Sequence, residues 1–227
     1  MEPIRVAVRR SGTVESVHRV HAVAVRNGDV AAAAGDPALV TFLRSSAKPV
    51  QALLLVRARP ELDDRLVAIA SASHHAEPEQ IEAVRALLAE VTAAAGAAPA
   101  TATDGCGVVT FGLSLERMAA AFARLGDLDG GGRVLAAMGA HPQLVGGADS
   151  LDTRLMRALP GWVAKGGAEG LICGVGADGA GFALKVGDGN QRALAPALAS
   201  FFPGLDEFAR VPVTNSRGEE VGEVACL

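Results

Sequence analysis

Strand-forming segments at the two ends of this chain enclose a middle rich in helix signals, and that layout limits the folds open to it. Residues 4–9 alternate apolar with polar or small side chains, the period of a half-buried strand. Val17, Val20, Val23 and Val25 make the stretch from Val14 to Val25 β-branched enough for a second strand. Asn27-Gly28-Asp29 then reads as a hairpin turn into Val30–Ala34. Toward the other end come Leu171-Ile172-Cys173, Phe182–Val186 and an extended polar tail from Val211 to Leu227 that turns at Asn215–Gly218. Between them lie Leu53–Val56, Glu79–Val91, Leu115–Leu125, Val134–Met138 and Thr153–Leu159, and Ala193–Phe202 follows as a last helix. In Glu79–Val91 the apolar residues fall three and four apart, as on one face of a helix. The two ends therefore supply one antiparallel sheet with helices packed on it, an α+β arrangement. At 227 residues the chain is long enough to bury a core as a single domain spanning residues 1–227.

Composition narrows the function. The net charge is −4 with acids and bases interspersed, and the chain has no Tyr and one Trp. That leaves neither the basic footprint nor the stacking platforms of a nucleic-acid binder. No apolar run reaches bilayer length, and the N-terminus lacks the basic-then-apolar layout of a secretory signal. Three widely spaced cysteines, Cys106, Cys173 and Cys226, do not make a disulfide framework. The expectation is a cytoplasmic protein with no membrane or nucleic-acid partner.

The stretch Arg44-Ser45-Ser46-Ala47-Lys48-Pro49 runs straight into an apolar segment. If that segment is helical, Ser45 and Lys48 lie three apart near its start and share a face. Pro49 suits a first turn. A serine beside a lysine can be a nucleophile with its base. The competing reading has the serines capping the helix and the lysine in water. A second polar stretch, Ser71–Pro78, holds Ser73, His74 and Glu77, which suit either an active-site wall or a cap for the Glu79–Val91 helix. Asp104-Gly105 is a turn signal by itself, and Lys165 stands before two glycines that let backbones approach closely.

Taken together and in order, these stretches resemble the Rhizobium etli-type L-asparaginases. They are joined by Arg10-Ser11-Gly12, Glu15–Arg19, Asp104-Gly105-Cys106-Gly107, Ala140-His141-Pro142, Val145-Gly146-Gly147, Asp152–Met156 and Lys165–Gly170. The resemblance implies a fold like that of serine β-lactamases and penicillin-binding proteins. It also implies hydrolysis of the side-chain amide of L-asparagine to L-aspartate and ammonia, by a homodimer. By resemblance Ser45 is the nucleophile with Lys48 as its base, and Ser73 pairs with Lys165 in a second tandem. Asp104 binds the substrate's α-amino group, Arg44 and His74 lie on the substrate side, and Cys106 is a metal ligand for zinc.

The family's Cys-(Ser/Asn)-Gly-Lys-His segment is missing here, and only Thr92–Thr103 stands in its place. The partner ligands for zinc go with it, so no cofactor is required by the residues present. The shortened middle motivates an alternative, a catalytically impaired paralogue that binds a small amino acid or a partner protein. His141 and His18 read as structural, and the glycines Gly130–Gly132 as a linker.

Overall fold

The computed structural model describes residues 1–71, 100–103 and 109–227. Strands β1 (Ile4–Arg10) and β2 (Thr13–Arg26) form a hairpin, and β2 turns at Asn27-Gly28 into β3 (Asp29–Ala34). A short β4 (Val40–Phe42) leads through a 3-10 turn, Arg44–Ala47, into α1 (Lys48–Ala58) and then α2 (Asp64–Ala70). After β5 (Ala100–Thr103) and β6 (Val109–Ser114) come helices α3 (Leu115–Ala123), α4 (Gly131–Ala140), α5 (Pro142–Gly146) and α6 (Leu151–Ala158). The chain ends with β7 (Val163–Gly167), β8 (Leu171–Val175), β9 (Gly181–Val186), α7 (Leu194–Phe201), β10 (Arg210–Thr214) and β11 (Glu220–Cys226).

The larger sheet runs in the order β10-β11-β1-β2-β9-β8-β7, all neighbours antiparallel, with β3 on the second half of β2. Its centre joins the two ends of the chain, because β1 pairs with β11 from Val6↔Cys226 to Arg10↔Gly222. A second sheet, β4-β6-β5, sits beside it.

Alternation along the strands divides the core. On one face Val6, Val8, Val20, Ala22, Ile172, Leu184 and Val186 pack against Leu194, Ala197 and Leu198 of α7. On the other, Val23, Val25, Leu171, Cys173 and Ala183 meet Leu115, Met118, Ala119 and Phe122 of α3. A third cluster joins Val50, Leu53 and Val56 of α1 to Val67 of α2 and to Val134, Ala137 and Met138 of α4. Each fully buried aliphatic side chain contributes about 1.5–3 kcal/mol relative to exposure, so α1 is held by its apolar stripe.

Most of the expected elements are present, and the differences have physical causes. The expected helix at Glu79–Val91 lies outside the described residues. Ala100–Thr103, for which no strand is expected from the sequence, is a strand paired with β6. Gly131 and Gly132 open α4 instead of forming a linker, with Gly130 at φ 81° before them. Asp152, one residue before the helix expected at Thr153–Leu159, stands in the first turn of α6, where Ser150 caps the helix by accepting from the Thr153 N–H at 3.3 Å. Residues Val163–Gly167, not among the strands expected from the sequence, form β7. Among the described residues no helix is long and apolar enough to cross a membrane.

Candidate active site

The Ser45 turn is fastened on three sides. The Leu43 N–H donates to Phe111 O at 2.9 Å and the Arg44 N–H to the buried Thr110 Oγ1 at 3.0 Å, which ties the turn to β6. Arg44 takes a left-handed backbone, φ 51°, an uncommon state for a residue with a Cβ that has to be held by its surroundings. The Ser46 hydroxyl is fully buried and donates to Lys165 O at 2.9 Å, docking the turn onto β7. Gly167 makes that contact possible. A Cβ there would lie 2.9 Å from Ser46 Oγ and 3.1 Å from Leu43 O.

The geometry within the turn follows from its 3-10 form. The Lys48 N–H donates to Ser45 O, and in a 3-10 turn residues three apart eclipse one another. Ser45 and Lys48 therefore leave the backbone on one edge. Neither the turn nor α1 uses a serine as a side-chain cap. Lys48 is buried, at 9% exposure. The capping-and-solvation reading of this motif thus fails on both of its counts.

Ser45 faces a cavity of about 490 Å³. Across it are Lys165, Gly166, Gly167 and Ala168 at the end of β7, together with Gly146, Ser150 and Asp152 from the start of α6 and the segment before it. Lys165 is not on the surface: its side chain is 8% exposed, and its Nζ donates to Gly166 O at 2.9 Å. Nζ also lies 3.6 Å from Asp152 Oδ2, in an ion pair whose carboxylate side chain is 5% exposed. Burial alone raises the Asp152 pKa. The Lys165 ammonium, the Ser150 hydroxyl and the N–H groups of Gly166 and Thr153 outweigh it and hold the carboxyl below the usual aspartate value.

Of the sequence-derived candidates, the structure brings Ser45 and Lys165 to one cavity, with Lys48 and Arg44 flanking Ser45 along the chain. Ser73, His74, Asp104 and Cys106 lie outside the described residues. Zinc finds no donor set in the rest. Among the described residues no three His, Cys, Asp or Glu side chains cluster as metal ligands, and burial pushes the Cys173 thiol up to about 12, so it stays protonated.

His18 stands apart from the cavity. Its Nε2 accepts from Arg192 Nε at 3.0 Å, so Nδ1 carries the proton and donates to Asp188 Oδ2 at 2.5 Å. This bridge, centred on the buried His18, fastens β2 to the turn after β9, a structural role.

Two residues of the site escaped the sequence reading. Ser46 stands beside the more conspicuous Ser45, and Asp152 falls one residue before the helix expected at Thr153–Leu159. A compositional signal was available. The chain has three lysines against eighteen arginines, and Lys48, Lys165 and Lys185 are all buried or half-buried. Arginine stays charged in proteins whereas lysine can give up its proton, so lysines confined to the interior are candidates for chemistry.

A Ser-x-x-Lys helix start facing a Lys-Gly-Gly edge strand, within a sheet made from both chain ends, defines the serine β-lactamase and penicillin-binding-protein-like class of α+β fold. The chain belongs to the L-asparaginase II family, whose model matches residues 6–98 and 88–226.

Solved structures agree on the fold. Mglu in its native form in 4.3 M NaCl superposes with a TM-score of 0.53 at 13% identity, over 80% of this chain and 60% of that one. A probable glutaminase from Bacillus subtilis complexed with 6-diazo-5-oxo-L-norleucine gives 0.51 at 12% identity, over 76% of this chain and 79% of that one. Mglu in its L-glutamate binding form gives 0.53 at 14%, over 80% and 60%. The chain thus spans 60% of the length of Mglu. No curated protein sequence matches it.

Proposed function

We propose that this chain is an amidohydrolase that converts L-asparagine to L-aspartate and ammonia, acting as a cytoplasmic homodimer of single-domain subunits. The observation that carries the reading is the cavity shared by Ser45 and Lys165 in a chain of the L-asparaginase II family. Ser45 Oγ attacks the side-chain amide carbon while Lys48, entering as the neutral amine, takes the hydroxyl proton. The tetrahedral oxyanion is met by N–H groups at the start of the helix. Its collapse breaks the C–N bond, the proton passes from Lys48 to the leaving nitrogen, and ammonia departs. Water then attacks the acyl-enzyme ester, returning the proton to Ser45 and releasing aspartate. Arg44, His74 and Asp104 bind the amino-acid end of the substrate, and Ser73 supplies a second hydroxyl beside Lys165.

The test is ammonia release from L-asparagine, with L-glutamine as comparator because one structural neighbour is named a probable glutaminase. Ser45→Ala is expected to lower kcat about 10³-fold or more. Equal rates in both proteins would eliminate Ser45 as the nucleophile.

The short interval Thr92–Thr103 supports a second reading, a paralogue that binds a small amino acid without turning it over. A raised melting temperature with L-asparagine or L-aspartate, alongside zero ammonia release, would favour it.

A further inference from the structure

Asp152 is the only carboxylate among the described residues that line the Ser45 cavity, and its surroundings are built to hold it. Its Oδ1 accepts from the Thr153 N–H at 3.1 Å and its Oδ2 from the Gly166 N–H at 3.0 Å. Gly146 leaves it room, since a Cβ there would lie 2.3 Å from Oδ1. The carboxylate therefore has one place to be, 3.6 Å from Lys165 Nζ.

Other charged groups nearby are engaged elsewhere. Arg192, also on the cavity wall, bonds to His18 and Ser16. On α6, Arg154 lies over the Phe208 ring and Arg157 donates to Ala148 O. Lys48 stands three residues after Ser45, in the first turn of α1. Two opposite charges buried together sustain one another, because neutralising either one leaves its partner buried and uncompensated.

We propose that Asp152 is a positioning residue that fixes Lys165 as a standing cation. Lys165 then meets the substrate as an ammonium, and the proton of Ser45 goes to Lys48 alone. The catalytic consequence rests on the amidohydrolase reading; the charge pair does not.

Three lysines make the test direct. In protein carrying ¹³C at lysine Cε, the resonance lost in Lys165→Arg identifies Lys165. If that variant does not fold, Lys48→Arg and Lys185→Arg identify it by elimination. The expected result is that this resonance keeps its ammonium shift throughout the pH range of activity and moves toward the amine position within that range in Asp152→Asn.

In parallel, Asp152→Asn is expected to lower kcat about 100-fold and to displace the pH–rate profile. Lys165→Arg, which keeps the charge but cannot release a proton, is expected to be at least about tenfold more active than Lys165→Ala. An amine shift for Lys165 in the native protein, or a resonance indifferent to Asp152→Asn, overturns the proposal. A folded Lys165→Arg as inactive as Lys165→Ala overturns it too. If the native protein releases no ammonia while the resonance behaves as expected, the pairing is supported and the amidohydrolase reading alone falls.

Discussion

The sheet carries ion pairs at both of its outer edges, and the two sets of charges live in different worlds. At β7, Lys165 and Asp152 are 8% and 5% exposed and face a cavity. At the opposite edge, Arg210 of β10 bridges Glu220 and Glu223 of β11 with about half of its side chain in water. The chemistry of each contact is alike. In water, however, attraction is screened and an ordered side chain loses entropy, so such pairs contribute little. In the cavity each charge depends on its partner, because removing one leaves the other desolvated. The β10–β11 pairs cover an edge that would otherwise offer itself to another strand, whereas the β7 pair sets the charge of a candidate active site.

That contrast can be broken by substitution. Asp152→Ala strands Lys165 and is expected to cost about 3–5 kcal/mol in urea unfolding. Gly146→Ala places a methyl group 2.3 Å from both Asp152 Oδ1 and Ser150 Oγ. It is expected to cost about 1–3 kcal/mol by overpacking.

Acid sharpens the same comparison. The folded Asp152 carboxyl lies below the ordinary aspartate value, so its stabilisation is full above that value. It fades as pH falls from there through the depressed folded value, because the unfolded chain binds the proton first. Plots of unfolding free energy against pH are expected to show a shallower acid limb in Asp152→Asn than in the native protein. Arg210→Ala closes the series, with no measurable change in melting temperature or in its salt dependence at the Lys165 site.

Much of this architecture was legible in the residues. Alternation marked β1, β2 showed itself by its valines, and Asn27-Gly28-Asp29 gave the turn, because in each a local rule and the final packing agree. Strand β7 was hidden because Val163-Ala164-Lys165-Gly166-Gly167 has no alternation to read. Gly167 leaves room for the Ser46 turn and Gly166 lies against Asp152 of α6, beside the buried lysine. Asp152 was hidden for a related reason. Gly146-Gly147 just upstream looks like loop, while the cap that begins α6 comes from Ser150, and the ion pair spans thirteen residues of sequence that no periodicity connects. Ser45 and Lys48 were visible as a motif, but the burial of Lys48 depends on tertiary contacts.

The interior placement of all three lysines carries a practical consequence. Amine-directed reagents, which decorate the outside of most proteins, would find no fully exposed lysine here. Crosslinkers of that kind would under-report assembly between copies, and slow acylation of an ε-amino group would act as a footprint of the crevice, protected when a ligand occupies it.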